Sequence, residues 1–180
     1  MYADNTLTPR EAVRLCALGT LASGPMRYSE LANAIRHFVS HITGPSLDVM
    51  GTSLELLKYE GLVTAVDGVG MEDDAVLSIS NEGQLELRAL LTANVRGQGS
   101  EMNKLIIALK FRFLHLLEKD EQRLQADYLI EAQDTELARF YELRQHHAED
   151  GGHLVEWLDY DIESLESHMA WLKEFRKRLG

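Results

Sequence analysis

The chain has 180 residues, 45% of them apolar, one cysteine and a formal charge of −11. Such a length fits one or two small domains with cores of their own. The lone Cys16 excludes an internal disulfide, and no apolar run approaches a membrane span. The N-terminus has no basic stretch followed by an apolar run, so no secretory signal is expected and the expected location is cytoplasmic.

Thr8-Pro9-Arg10-Glu11 is a capping box with proline at the first helical position. Val13, Leu15, Cys16, Leu18 and Leu21 then make the first helix apolar on most faces, the pattern of a helix buried in the middle of a small domain. Gly24-Pro25 ends it. A second helix is expected from about Ser29 to Ile42, where Leu31, Ile35, Phe38, Val39 and Ile42 recur at helical spacing, and Gly44-Pro45 breaks it. A third runs from about Ser46 to Glu60 with Leu47, Met50, Leu54 and Leu57 as one stripe, and Gly61 stands at the usual C-cap position.

The period then changes. Leu62-Val63-Thr64-Ala65-Val66 reads as a strand, Asp67 to Asp74 as a turn and Ala75-Val76-Leu77-Ser78-Ile79 as the returning strand. Asn81 with Gln84 resembles a second capping box, followed by a helix carrying Leu85, Leu87, Leu90 and Leu91. Arg96-Gly97-Gln98-Gly99-Ser100 reads as a hinge. Three helices are expected beyond it. The first covers about Glu101 to Leu117 with Leu105, Ile106, Leu109, Phe113 and Leu116 inward. The second covers about Glu121 to His147 with Leu124, Tyr128, Leu137 and Phe140, and the last about Leu154 to Leu179.

The expected fold is therefore mainly α with a small β-wing. An N-terminal winged helix-turn-helix domain over 8–95 is followed by a C-terminal all-helical dimerisation domain over 101–180. The last helix carries the dimerisation candidates. Leu158, Leu165, Leu172 and Leu179 recur every seven residues, and Ile162 and Met169 fall four after Leu158 and Leu165, the repeat of a coiled-coil seam. Packing against the other helices of the same chain is the alternative.

Three stretches resemble the PadR-like family of transcriptional regulators: Gly24-Pro25-Met26-Arg27-Tyr28-Ser29-Glu30-Leu31-Ala32, then Leu54, Leu57 and Glu60-Gly61-Leu62-Val63, then Leu77-Ser78-Ile79-Ser80-Asn81-Glu82-Gly83. Lys104 to Leu117 and Met169-Ala170-Trp171-Leu172 are similar to the family's helical dimerisation region. The chain departs from the pattern in three places. Tyr28-Ser29 replaces the usual Gly-Tyr, Gly51 stands where a tyrosine is common, and the wing carries Asp67, Glu72, Asp73 and Asp74 instead of basic residues. The resemblance implies a homodimeric DNA-binding regulator, a repressor acting on a palindromic operator.

In such folds the third helix enters the major groove. Its outward residues would be Ser46, Asp48, Val49, Thr52 and Ser53, with Glu55 and Lys58 further along; Arg10, Arg14, Arg27, Arg36 and Lys58 are the cations available for phosphates. The expected DNA contacts are Arg27, Arg36, Ser46, Thr52, Ser53 and Lys58. Charge weighs against this reading. Residues 1–100 hold 7 basic and 12 acidic side chains, and residues 101–180 hold 11 and 17, so neither half is basic. The alternative is a winged helix that serves as a protein-interaction module and has lost DNA binding.

Phe113, Tyr128, Trp157 and Trp171 are candidates for an apolar effector pocket, against the plainer reading that they pack the helical core. His37 with His41, and His146 to His153, are better read as solvated helix-surface and turn residues than as metal ligands. Cys16 lies in an apolar helix with no histidine nearby in sequence, and no phosphate-cradling glycine loop is present. The chain is not expected to be an enzyme, and no cofactor is expected.

Overall fold

The structure, a computed structural model, describes residues 7–44, 50–66, 75–95 and 101–180, and within these the side chains of 50–53 and 101–102 are not described. The described chain falls into two compact units that divide between Leu116 and Leu117.

Helix α1 (Pro9–Leu21) is the centre of the first unit. Thr8 caps it: Glu11 N donates to Thr8 Oγ1 at 3.3 Å, and Thr8 N donates back to Glu11 Oε2 at 2.7 Å. Nine of its thirteen residues are buried, and α2 (Tyr28–Thr43), α3 (Met50–Tyr59), α4 (Asn81–Thr92), α5 (Glu101–Phe113) and strand β3 (Val76–Ile79) all pack against it. Helix α2 brings Leu31, Ile35 and Val39 to this core, and α3 brings Leu54 and Leu57.

Helix α3 ends in a Schellman motif. Leu62 N donates to Leu57 O at 2.8 Å and Gly61 N to Lys58 O at 3.0 Å, with Gly61 at φ 76°, a conformation that favours glycine. The turn feeds β2 (Val63–Ala65), which pairs antiparallel with β3 in the register Val63↔Ile79, Thr64↔Ser78 and Ala65↔Leu77. The hairpin is the wing; its tip, 67–74, lies outside the described residues. A third strand that periodicity did not indicate, β1 (Met26–Arg27), completes the sheet by pairing Met26 with Leu77 and Arg27 with Val76, in the order β1-β3-β2.

One sequence expectation is corrected in this unit. The cap of α4 is Ser80, not Asn81 with Gln84: Ser80 Oγ accepts from Gly83 N at 2.9 Å and donates to Gly61 O at 2.7 Å. The expected hinge at 96–100 lies outside the described residues, but α5 beyond it belongs with the first unit. Leu105, Ile106, Leu109 and Phe113 are buried in a helix that packs on α1 and α2, so the apolar face of α5 is spent on that core. A short 3-10 turn, Leu114–Leu116, ends the unit.

The second unit is a hairpin of α6 (Lys119–His146) and α7 (Leu154–Arg178). Ion pairs and hydrogen bonds along its flanks fix the antiparallel register. Arg176 Nε lies 2.7 Å from Asp127 Oδ1, Arg144 Nη2 lies 3.1 Å from Asp159 Oδ2, and Tyr141 Oη donates to Glu166. The inward stripe of α6 is Gln125, Ala126, Leu129, Gln133 and Glu136, whereas Leu124 and Tyr128, expected inside, are exposed. Gln133 makes the polar stripe tolerable by donating to Leu165 O at 3.3 Å. Glu136 is less well served: Arg139 lies 3.8 Å from one oxygen, Oε2 has no hydrogen-bond partner, and burial raises its carboxyl above the usual range.

Gly83 sits where α4 meets the turn before β2. A Cβ there would lie 2.1 Å from Leu62 O, a backbone atom with little freedom to move. Gly83→Ala is expected to lower stability by about 1–3 kcal/mol despite the better helix propensity of alanine. Thermal melting should show Tm lower by roughly 3–10 °C; an unchanged or raised Tm would contradict the packing.

Lys110 is fully buried and donates from Nζ to Leu91 O at 2.5 Å, at the C-terminal end of α4. Burial pushes its ammonium down from 10.5 to about 8. Above pH 8 the folded chain therefore holds fewer protons at this site than the unfolded chain, and stability from this group rises between about pH 8 and 10.5. Denaturant titrations of the wild type and Lys110→Met at pH 7.5 and 10 should show the wild type gaining up to a few kcal/mol relative to the variant. Parallel pH profiles would count against a depressed lysine.

Candidate nucleic-acid interface

Helices α2 and α3 pack on each other as well as on α1, so what faces outward from them is decided by which residues face α1. With Leu31, Ile35 and Val39 inside, α2 exposes Asn33, Arg36, His37 and His41. Arg36 Nη1 donates to Asn33 Oδ1 at 2.9 Å, which holds the guanidinium along the helix surface. The rings of His37 and His41 stack at 4.2 Å, His41 Nδ1 lies 2.7 Å from His37 O, and Ser40 Oγ donates to the same carbonyl at 3.2 Å. From Asn33 to His41, α2 carries no carboxylate. In a chain of net charge −11 this is a locally cationic strip, and the local field matters more to an approaching phosphate than the total.

The other expected contacts are placed unevenly. Arg27 is exposed at the N-cap of α2, where β1 meets the wing strand β3. Lys58 is half-buried in the last turn of α3. Thr52 and Ser53 fall in the first turn of α3 with their side chains outside the description, and Ser46, with Asp48 and Val49, lies outside the described residues. Arg10 is exposed at the start of α1. Arg14 differs from the rest. Its Nη2 lies 2.7 Å from Glu60 and its Nη1 3.0 Å from Glu86, so two carboxylates hold it against α3 and α4. It belongs to the scaffold.

Arg112 was not singled out by the sequence reading. Its guanidinium lies 4.6 Å from the Phe38 ring centroid and 4.9 Å from that of Phe113, and Nη1 reaches Cys16 Sγ at 3.8 Å. The arginine thereby ties α5 to α1 and α2 behind the exposed strip. Burial raises the Cys16 thiol to about 11, which makes it a packing residue with no thiolate at neutral pH.

The expected dimerisation residues lie on the inner side of the α6–α7 hairpin. Leu158, Ile162, Met169 and Leu172 are buried, and Leu165 and Leu179 half-buried. The heptad of α7 is occupied by α6 of the same chain. The four effector candidates divide between the two units. Phe113 is buried in the first unit with its ring against Gly19, whose added Cβ would fall 2.6 Å from it. Tyr128, Trp157 and Trp171 are exposed on the second unit. Among the described residues no group of three or more His, Cys, Asp and Glu could hold a metal ion, and no helix is long and apolar enough to cross a membrane.

Three helices, a three-stranded sheet with a wing and a following helix make a winged helix, here followed by an α-hairpin: the architecture defines a winged-helix regulator. The chain belongs to the AphA-like transcriptional regulator family, whose family model matches residues 2–176, and the expected membership in a family of transcriptional regulators is borne out. The chain is similar to solved structures of PadR from Bacillus subtilis. The complex with operator DNA is 16% identical, with 93% of this chain and 98% of that chain covered and a TM-score of 0.37. The complex with p-coumaric acid is 15% identical, with 97% and 98% covered and a TM-score of 0.37. A protein from Streptococcus mutans UA159 is 19% identical, with 93% and 98% covered and a TM-score of 0.39. No curated protein matches the chain.

Arg14 and Arg36 should part company on substitution. Arg36→Ala is expected to weaken DNA binding about equally for all sequences and to reduce the slope of log K against log salt by about one per subunit. Arg14→Ala should leave that slope unchanged and lower stability by about 1 kcal/mol, because Glu60 and Glu86 lose their shared cation. Fluorescence anisotropy on a labelled duplex at several salt concentrations, with melting curves, separates the two effects.

Proposed function

We propose that this chain is a homodimeric, DNA-binding transcriptional regulator that represses by occupying a two-fold-symmetric operator. The observation that carries the reading is the carboxylate-free outer strip of α2 around Arg36, set beside α3 in a member of a transcriptional regulator family. In this scheme α3 enters the major groove, Arg36 and Arg27 hold the flanking phosphates, and Lys58 and Arg10 add charge. A dimer presents two recognition helices, so the half-sites stand about one helical turn of DNA apart.

The charge sets the character of binding. With Arg14 withdrawn, each subunit offers Arg10, Arg27, Arg36 and Lys58, and two subunits offer about eight phosphate contacts at most, a log–log salt slope of roughly −4 to −7. The remaining acidity repels DNA away from the strip, so non-specific affinity is low and fades steeply with salt.

Selection of bound duplexes from a random pool, followed by salt titration of the winner, tests the reading. The expected outcome is an inverted-repeat sequence with a salt slope in that range. Enrichment of no sequence, together with no retention on DNA at low ionic strength, would overturn it and favour the protein-interaction module.

A further inference from the structure

Two histidine settings contrast in this fold. In the hairpin, His147 Nδ1 lies 2.7 Å from Asp150 and His153 Nδ1 3.1 Å from Glu156, so each faces a carboxylate of its own turn. His37 and His41 on α2 face none. The sequence holds no carboxylate between Glu30 and Asp48, and among the described residues no carboxylate forms an ion pair with either ring.

The elements packed against α2 supply no counter-charge either. On α1, Glu11 is bonded to Thr8, Arg14 is held by Glu60 and Glu86, and Arg10 is exposed. Helix α3 brings Glu55, exposed, and Lys58, half-buried, and β1 brings Arg27. Beyond Glu101, whose side chain is outside the description, α5 brings Lys104, Lys110 and Arg112. Lys110 is spent on Leu91 O, and Arg112 lies on the Phe38 ring with Cys16 behind it.

Geometry decides what His41 can offer. Its Nδ1 lies 2.7 Å from His37 O, and a carbonyl oxygen only accepts, so Nδ1 carries the hydrogen. Ser40 Oγ donates to the same carbonyl. In the neutral ring Nε2 is then a lone pair, which repels a phosphate oxygen. A proton at Nε2 turns that atom into a charged donor. The two rings stack at 4.2 Å. Two imidazolium ions at that distance repel, so the pair favours one proton over two unless an anion lies beside it. From Asn33 through Arg36 to His41 the exposed face runs about 12 Å along the helix, enough to meet more than one phosphate of a strand.

We propose that the His37–His41 pair is a proton-gated phosphate contact: it closes on duplex DNA only with Nε2 of His41 protonated, so binding takes up about one proton per subunit. This contact rests on the DNA-binding reading of the chain, to which it adds pH control. The complex holds more protons than the free chain and duplex, so affinity rises as pH falls. Phosphates carry no base identity, so acid tightens binding to all sequences alike.

Fluorescence anisotropy of a labelled mixed-sequence duplex at low salt, titrated with the full chain at pH 7.5 and pH 6, tests it. Phosphate contacts need no operator, and pH 7.5 lies below the titration of Lys110 at about 8. The wild-type Kd is expected to be about tenfold lower at pH 6, with a log–log salt slope steeper by about one per subunit. His41→Gln, which keeps a polar side chain but takes no proton, should reduce that ratio to about threefold or less. His146→Gln, exposed in the hairpin, should keep the wild-type ratio. Equal Kd values at the two pH values for the wild type overturn the contact and leave the DNA-binding reading standing. A full wild-type ratio in His41→Gln, or its loss in His146→Gln, also overturns the contact, because the dependence then belongs to overall charge. No binding at either pH overturns the regulator reading and the contact together.

Discussion

Burial of α1 is the constraint from which the first unit follows. Val13, Leu15, Cys16, Ala17, Leu18 and Leu21 reach water hardly at all, and only a shell of other elements can cover a helix that is apolar nearly all round. Helices α2, α3, α4 and α5 and strand β3 form that shell, and each turns its own apolar stripe inward to do so. The outward residues are a consequence: α2 shows Arg36 and the two histidines because Leu31, Ile35 and Val39 are committed to α1. Close approach tightens the arrangement at two glycines. Gly19 gives room to the Phe113 ring, and Gly83 lets α4 start against the carbonyl of Leu62. A functional strip carried on a helix of this shell inherits its rigidity, which a phosphate-positioning residue needs.

What could be read from the sequence divides by the range of the interaction. The cap at Thr8 and Glu11 and the Schellman turn at Gly61 were legible because every partner lies within six residues. The strand at Met26 and Arg27 was not, because two residues carry no period and their pairing partners lie some fifty positions away. The cap of α4 was displaced by one residue for a related reason. Ser80 is fixed by Gly61 O from another turn as well as by Gly83 N. The affiliation of α5 was invisible too: an apolar stripe records that a helix is buried, not against what.

The candidate site shows the same limit in charge. Composition counts Arg10, Arg14, Arg27, Arg36 and Lys58 alike. In the fold Arg14 is held between Glu60 and Glu86, so a carboxylate from the turn after α3 and one from α4 cancel its charge. Arg36 is held by a neutral carboxamide, which directs the guanidinium without neutralising it. Net charge is thus a poor guide to the interface, and partner identity is a better one.

The same ambiguity of partner is resolved in α7 by its neighbour α6. A heptad on Leu158, Ile162, Leu165, Met169 and Leu172 is equally good for a partner chain and for a neighbouring helix, and the sequence alone favoured the former. Because α6 takes that seam, a dimer built on it would have to open the hairpin first and expose both apolar faces to water. The hairpin is held by leucines, Met169, the Gln133 bond to Leu165 and the Arg144 and Arg176 pairs, all within one chain.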